Sequence, residues 1–244
     1  MRILCMLPAA KGVYPPEAEE RRLKLMRSYA SPGTEIDSDY MPGVSGFVPW
    51  GGTTGSAPPD AAARAAGFSA QRALQAEKEG YDAFCPYGTL DIGVREARKL
   101  VKIPVVGQAE ACFLFCGLLD RPFASCSYVP GGEERIQSWA RDMGVGHLLV
   151  ANTAIGMPNS EFPTHRKELL DRFVACAQEA RAKGAEVMGL VAMSICPGEY
   201  SGKELSDASG MPVLDALGCQ IAMAEWWHRV GIPPSLLRSP RSAP

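Results

Sequence analysis

Two short segments carry the residues best suited to chemistry on a small molecule, Gly88-Thr89 and Cys196-Pro197-Gly198. Cysteine can act as an acid, a base or a nucleophile, because its ordinary pKa of about 8.5 is easily shifted by neighbouring groups. Gly88 lies 16 residues before Pro104, and Cys196 lies 16 residues before Pro212. The equal counts predict that the two segments occupy equivalent positions in two copies of one structural unit.

The elements that must position these segments form a repeated pattern of strand, turn, helix and strand. The pattern begins near Lys78-Glu79-Gly80-Tyr81 in the first half and near Ala182-Lys183-Gly184-Ala185 in the second. Alternating strands and helices are typical of parallel sheets that are covered by helices on both faces. Ligands of such sheets bind beyond the carboxyl ends of the strands. We therefore predict that Gly88 and Cys196 face each other across a cleft between two α/β lobes.

Hydrophobic periodicity and the positions of glycine and proline give the bounds of these elements. The predicted strands are 2–7, 35–39, 81–87, 103–106, 123–128, 147–151, 186–194 and 212–214. The predicted helices are 16–29, 61–80, 94–101, 132–143, 168–183 and 201–209. The glycine- and proline-rich stretch 41–59 is predicted to be a loop. We expect one lobe to contain 1–110, completed by the C-terminal helix within 216–244, and the second lobe to contain 111–215.

Charge and composition restrict the kind of partner. The chain has 244 residues with 25 Lys and Arg against 27 Asp and Glu, and no basic run stands out. A surface that attracts nucleic acid or an anionic membrane is therefore not expected. The apolar windows all fall short of the ~18 residues that a membrane span needs, and the N-terminal apolar stretch is too short for a signal peptide. We expect a cytoplasmic protein whose partner is a small molecule.

The eight cysteines are predicted to be reduced thiols. The sequence contains no CxxC pair, and most of the cysteines lie in apolar segments, where a thiol packs as a small hydrophobic group. Cys112 and Cys116 are four residues apart on a predicted helix, but they lack a histidine or carboxylate at ligand spacing, so no metal site is predicted. Cys85 lies inside a strand three residues before Gly88, and its side chain should point away from the face that the strand end serves.

Several segments together carry a resemblance to a known family. They are the opening strand with Pro8, 30–35, 79–83, 97–100, 103–107, Glu110-Ala111 and 210–215. Their order and spacing resemble the aspartate/glutamate/hydantoin racemase superfamily over most of the chain, and the hydantoin racemase branch is the most similar. The resemblance implies two pseudo-symmetric lobes, each a parallel sheet flanked by helices, with the active site in the cleft between them. It also implies catalysis with no cofactor and no metal.

Racemases of this family carry one cysteine at the end of each of two equivalent strands, which implies one proton carrier for each face of the substrate. Gly88 replaces the first cysteine, whereas Cys196 matches the second. Glycine on one side and cysteine on the other resembles the arylmalonate decarboxylases, in which a Gly-Thr pair begins a dioxyanion pocket and one cysteine protonates from one face. Leu90 departs from the serine of those enzymes, and Leu7-Pro8-Ala9-Ala10 departs from the Asn-Pro-Asn-Thr of the racemases.

The resemblance gives each candidate residue a role. Cys196 is the predicted catalytic residue, with Ser194 as the alternative if the alignment gap is placed differently. Tyr128 follows Ser127 where the family has a pocket hydroxyl and a tyrosine, and it is expected to donate to a carboxylate. The predicted substrate-binding residues are Gly88, Thr89, Tyr128, Ser127, Pro8, Pro197 and Gly198.

Three functions remain open at this stage. The first is one-sided acid, base or nucleophilic chemistry by a single cysteine on a small carboxylated, hydantoin-like or thiohydantoin-like substrate, as in a decarboxylase, isomerase or desulfhydrase. The second is a hydantoin or amino-acid racemase in which Cys85 or a water replaces the missing base. The third is a non-catalytic small-molecule binding protein on the same fold. Family habit also predicts a homo-oligomer.

Overall fold

The computed structural model describes residues 1–7, 11, 16–40, 61–86, 88, 91–128 and 130–234. Its strands are β1 (Arg2–Leu7), β2 (Glu35–Tyr40), β3 (Ala83–Pro86), β4 (Phe123–Ser127), β5 (Leu149–Ala154) and β6 (Val187–Val191). Its helices are α1 (Pro16–Tyr29), α2 (Ala61–Lys78), α3 (Val94–Arg98), α4 (Gln108–Leu119), α5 (Glu133–Asp142), α6 (Arg166–Ala182), α7 (Gly202–Ser209) and α8 (Ala216–Val230). A short 3-10 turn covers Asn159–Glu161.

The strands form two parallel three-stranded sheets of the same topology. One sheet has the order β2-β1-β3 and the other the order β5-β4-β6, so the first strand of each set is central in both. A single parallel bridge extends each sheet, from Phe84 to Val105 and from Met188 to Val213. The prediction of an α/β fold built from two parallel sheets is confirmed.

Burial explains why these segments became strands of parallel sheets. The residues of β3 and β6 are all buried, as expected for strands that are covered on both faces.

The helix α7 begins with a capping box, in which the Ser201 hydroxyl accepts from the Glu204 amide and the Glu204 side chain accepts from the Ser201 amide. Such reciprocal caps satisfy amide groups that the first helical turn leaves without partners.

The described residues divide into two compact units. Unit 1 contains the described residues up to Gln108 together with those from Gln220 onward, and unit 2 contains Ala109 to Cys219. The core of unit 1 includes Phe84 and Val105. The core of unit 2 includes Met188 and Cys196.

Several predicted bounds are corrected. Strand 186–194 ends at Val191 because the residues after it form consecutive hydrogen-bonded turns. Strand 81–87 shortens to Ala83–Pro86, and helix 94–101 shortens to Val94–Arg98. The strands predicted at 103–106 and 212–214 are single bridges, and the loop predicted at 41–59 lies outside the described residues. Within the described ranges, no helix combines the length and apolar character needed to cross a membrane.

Candidate active site

Cys196 lies in a segment of consecutive turns, Ala192–Tyr200, which we call the Cys196 turn. The amides of Ile195 and Cys196 both donate to the carbonyl of Ala192, at 2.8 and 3.0 Å. The amides of Glu199 and Tyr200 both donate to the carbonyl of Ile195, at 3.0 Å. The turn is therefore held by its own backbone, and the Cys196 amide is already occupied. Every residue of the turn except Ser194 is buried.

Two further features fix the middle of the Cys196 turn. The peptide bond between Cys196 and Pro197 is cis. A Cβ atom at Gly198 would overlap the carbonyl oxygens of Ser194 and Met193, so this position requires glycine. Pro197 and Gly198, both predicted to bind substrate, thus shape the turn that holds the thiol. The Ser194 hydroxyl oxygen is buried and has no hydrogen-bond partner among the described residues.

An ion pair with helix α6 stabilises the end of the Cys196 turn. Arg166, the first residue of α6, pairs with the buried Glu199 carboxylate at 2.6 Å. Its guanidinium lies 4.5 Å from the centre of the Tyr200 ring, and the Tyr200 hydroxyl donates to the Arg166 carbonyl at 2.7 Å. Three contacts between one arginine and two neighbouring residues hold the turn against α6.

The Cys196 thiol is buried beside a carboxylate. Its residue is 1% exposed. Burial raises the pKa of Cys196 well above the usual value of a thiol, and the negative charge and hydrogen bond of Asp215 raise it further. Because desolvation and a neighbouring carboxylate both disfavour the thiolate, Cys196 keeps its proton at neutral pH.

Asp215 is positioned by helix α8, which it precedes. Its Oδ1 accepts hydrogen bonds from the amides of Leu217 at 3.0 Å and Gly218 at 3.4 Å. This is the geometry of an N-cap, in which a short polar side chain satisfies amides of the first helical turn. Our sequence interpretation gave Asp215 no role, although an aspartate directly before an apolar helical run is a signal for a cap.

Gly88 lies at the other strand end, in a segment that we call the Gly88 turn (residues 88–93, of which 88 and 91–93 are described). The Gly88 amide donates to Oε1 of Gln108 at 2.5 Å. The φ of Gly88 is 139°, a backbone conformation that residues with a Cβ atom rarely adopt. The Gly88 turn is therefore fixed by a side chain from the first residue of α4, and this amide is not free to bind a substrate oxygen.

The Gly88 turn also contains a carboxylate. The Asp91 carboxyl group lies so close to Gly107 that a Cβ at position 107 would overlap it. Asp91 itself has a φ of 49°, within the left-handed region that aspartate tolerates better than most residues. A carboxylate thus lies near the strand end of unit 1 as well as that of unit 2.

Backbone hydrogen bonds show which positions of the two units correspond. Phe84 bonds to Pro104 and Val106 in the same way that Met188 bonds to Pro212 and Leu214. The register then shifts by one residue, because Cys85 pairs with Cys5 whereas Leu190, and not Gly189, pairs with Ser125. Counted from the strands, Gly88 therefore corresponds to Met193.

Counted back from the following helices, which begin at Val94 and Gly202, Gly88 instead corresponds to Cys196. The second unit has four extra residues, because Phe84 to Pro104 spans 20 positions and Met188 to Pro212 spans 24. They lie in the bulge of β6 and in the turn before α7, so the predicted equivalence of Gly88 with Cys196 stays a prediction.

The remaining predicted residues fall into three groups. Tyr128 is half-buried and packs against the core cluster that contains Cys196, and burial raises the pKa of Tyr128 above that of a free tyrosine. The Ser127 hydroxyl donates to the Thr153 carbonyl at 3.4 Å. Pro8 and Thr89 lie outside the described residues. The cleft predicted between the two turns stays a prediction.

Cys85 is a buried thiol of the first sheet. It lies opposite Cys5 in the register of β3 and β1, and both residues are 0% exposed. A hydrogen bond with the Cys5 thiol, together with burial, raises the pKa of Cys85 well above its usual value.

The described residues contain no group of three or more His, Cys, Asp or Glu side chains arranged to hold a metal ion.

Comparison with known proteins connects this arrangement with a family. The profile of the Asp/Glu/Hydantoin racemase family matches residues 42–224. A hydantoin racemase of Rhizobium meliloti is 28% identical over 155 residues, which are 62% of this chain and 62% of that protein. The chain therefore matches less than two thirds of the length of this curated relative.

Solved structures show the same fold. The allantoin racemase AllR of Pseudomonas fluorescens superposes with a TM-score of 0.80 at 22% identity, over 100% of this chain and 99% of that one. An arylmalonate decarboxylase superposes with a TM-score of 0.63 at 14% identity, over 93% of this chain and 92% of that one. At these identities the likeness concerns the architecture of two parallel sheets.

Proposed function

This chain belongs to the Asp/Glu/hydantoin racemase family, and on that premise we propose that it is an isomerase that moves a proton at the asymmetric ring carbon of a hydantoin- or allantoin-type ureide. Cys196 is the proposed proton carrier. The observation that carries the proposal is the pair formed by the Cys196 thiol, in the turn that follows the last strand of unit 2, and the Asp215 carboxylate, which caps α8. Hydantoin and allantoin racemases among the similar proteins support this class of substrate.

The proposed chemistry uses the thiol in both directions. A ring carbon between a carbonyl and a nitrogen loses its proton to give an enolate, which needs hydrogen-bond donors for its oxygen. In one direction the Cys196 thiol gives its proton to the enolate carbon and becomes a thiolate, while the original proton leaves from the other face to water. In the reverse direction the Cys196 thiolate accepts the proton from carbon.

Asp215 and Tyr128 have distinct proposed roles. The negative charge of Asp215 raises the proton affinity of the Cys196 sulfur, so the resting enzyme holds the proton that it must deliver. Tyr128 keeps its hydroxyl proton, because burial raises its pKa, and it can donate to the enolate oxygen. Ser127, Thr89 and Pro8 remain proposed contacts to the substrate.

One observation favours a second candidate, chemistry on a single face such as a decarboxylation. Unit 1 has Gly88, which carries no thiol, where the family resemblance places the first of two cysteines. The Cys196 thiol is held in its protonated form. A lone acid of this kind suits an enzyme that protonates an enolate generated by loss of another group.

Deuterium exchange distinguishes the two candidates. Each enantiomer of 5-benzylhydantoin and of allantoin is incubated with the enzyme in D2O, and loss of the ring C–H signal is followed by NMR together with optical rotation. A racemase exchanges the proton of both enantiomers above the uncatalysed rate, and the rotation decays to zero. Exchange of one enantiomer alone supports the one-sided candidate, with arylmalonates as the next substrates to test. If the ring proton of both compounds exchanges only at the uncatalysed rate, the isomerase proposal is overturned.

A further inference from the structure

Two buried glutamines bind the main chain around the strand end of unit 1. Gln108 and Gln220 are both 0% exposed. The Oε1 atom of Gln108 accepts from the Gly88 amide at 2.5 Å. The Nε2 atom of Gln220 donates to the carbonyls of Pro86 at 2.8 Å and Val106 at 2.7 Å. Both carboxamides therefore attach to the same short part of the sheet, at the carboxyl end of β3.

The orientation of each carboxamide is determined by its main-chain partners. An amide N–H can pair only with an oxygen, so Gln108 must present Oε1 to Gly88. Two carbonyl oxygens can pair only with donors, so Gln220 must present Nε2 to Pro86 and Val106. Rotating either carboxamide by half a turn would break these bonds. Nε2 of Gln108 and Oε1 of Gln220 are left over, and both are buried without a hydrogen-bond partner among the described residues.

A leftover donor and a leftover acceptor at one strand end indicate a ligand. Buried polar atoms of folded proteins are nearly always hydrogen-bonded, and an unsatisfied one is unfavourable. The main-chain partners Pro86 and Gly88 are two residues apart, as are Val106 and Gln108, which brings the two side chains to one place on the sheet. The missing partner is a group that offers a carbonyl oxygen together with an N–H, which is the edge of an amide.

We infer that Gln108 and Gln220 recognise the amide edge of a cyclic ureide, with Nε2 of Gln108 donating to a ring carbonyl and Oε1 of Gln220 accepting from a ring N–H. The identity of the ligand class rests on the proposed function, whereas the argument for an amide edge does not involve Cys196. Both glutamines are specificity-determining residues in this inference, since they are not asked to move a proton.

Calorimetric binding measurements on the whole protein test the inference without requiring turnover. The ligands are 5-benzylhydantoin, its two ring N-methyl derivatives and its two thiocarbonyl analogues, in which a weaker acceptor replaces an oxygen. Wild type is expected to bind at least one N-methyl and one thiocarbonyl compound about tenfold more weakly than the parent, because each leaves one buried group unpaired. Gln108→Met should weaken the parent about tenfold and abolish the preference for oxygen over sulfur.

Ser69→Ala is the matched control. Ser69 lies on α2 in unit 1, is 0% exposed, and has a hydroxyl without a partner among the described residues. Its removal is expected to leave both preferences intact, with affinity within about twofold of wild type. The N-methyl comparison is made on wild type, so it tests the inference even if Gln108→Met fails to fold.

The outcomes separate this inference from the proposed function. Equal binding of all five ligands by wild type, or a preference for oxygen that survives in Gln108→Met, overturns the assignment of the glutamines. Selective binding without proton exchange supports the glutamine site and removes the isomerase proposal. Proton exchange without selectivity leaves the isomerase in place and removes the glutamine site.

Discussion

The Gly88 turn and the Cys196 turn follow equivalent strands in two sheets of one topology, yet they are held by different means. In the Gly88 turn the Asp91 amide donates to the Gly88 carbonyl at 3.2 Å, and Gln108 adds a side-chain contact to a glycine of positive φ. The Cys196 turn is longer, has more backbone hydrogen bonds of its own, and holds a buried thiol. The comparison shows that the repeated topology places both turns at the carboxyl ends of equivalent strands. The length and sequence of each turn then determine which side chain lies there.

The two strand ends also obtain their carboxylates from different positions. The correspondence of Val106 with Leu214 equates Gly107 with Asp215. In unit 1 position 107 must be glycine, because Asp91 from the turn occupies the space of its side chain. In unit 2 the corresponding residue is itself the carboxylate, and it lies beside the thiol. The second arrangement places charge where it changes the acidity of a thiol, and the first does not.

The largest expected effect comes from removing the group that distinguishes the Cys196 turn. Cys196→Ser should lower the rate of proton exchange by a factor of about 10² to 10⁴, because general acid–base catalysis contributes that much. Cys176→Ser is the matched control, since Cys176 is also a buried cysteine of the unit 2 core. Single-turnover exchange measured by NMR reports both rates. Equal losses in the two variants would show that Cys196 acts through packing alone.

A second variant breaks the Cys196 turn without touching sulfur. Gly198→Ala places a methyl group against the Ser194 and Met193 carbonyls and should lower the free energy of unfolding by about 1–3 kcal/mol. Gly67→Ala is the control, because Gly67 lies in α2 with open space around it; it should raise stability by roughly 0.5–1 kcal/mol. Urea unfolding measures both. A neutral Gly198→Ala would mean that the turn adjusts readily.

Exchanging glycine and alanine shortly after β3 and β6 sharpens the comparison. Gly88→Ala should cost about 1–2 kcal/mol of unfolding free energy, because an L-residue is strained at the φ of 139° found there. Ala192→Gly has no such strain and should cost about 0.5–1 kcal/mol through backbone entropy. Urea unfolding of the two variants gives the difference. A larger loss in Ala192→Gly would show that the turns are not held as described.

The smallest expected effect concerns the acidity of the thiol. Burial is the main reason that the pKa of Cys196 is raised, and the Asp215 charge adds to it; Asp215→Asn keeps a capping oxygen but removes the charge. The pKa should fall, the thiolate fraction at pH 9 should rise, and alkylation by iodoacetamide should become a few-fold faster. Mass spectrometry of the Cys196 peptide follows the reaction from pH 7 to 10. Asp207→Asn, at an exposed residue paired with Lys203, should leave the rate unchanged, and a slower reaction in Asp215→Asn would contradict the proposed role.

Much of the fold was predictable because its signals are local. Apolar runs such as Arg2–Leu7 and helical patterns such as Pro16–Tyr29 specify elements within a few residues, and their alternation indicates parallel sheets. The four extra residues of unit 2 were not predicted, because counting back from Pro212 assumes turns of equal length. The four extra residues have no periodic signature, since a turn follows from individual backbone hydrogen bonds.

The partners of the candidate site were hidden for a different reason. The Gln220 side chain bonds to Pro86 across 134 positions of sequence, and Gln108 bonds to Gly88 across 20. No local pattern reports contacts of that range. A lone glutamine inside an apolar helical run is nonetheless a signal, because a buried carboxamide needs partners elsewhere in the fold.

The protected state of the Cys196 thiol has a consequence for the durability of the protein. Peroxides attack thiolates that they can reach, and they convert them stepwise to sulfenic and then irreversible sulfinic acids. A sulfur that is 1% exposed and keeps its proton beside a carboxylate offers little of the reactive form. Burial and the Asp215 charge keep Cys196 protonated, and we expect the same two features to slow the oxidation of its sulfur.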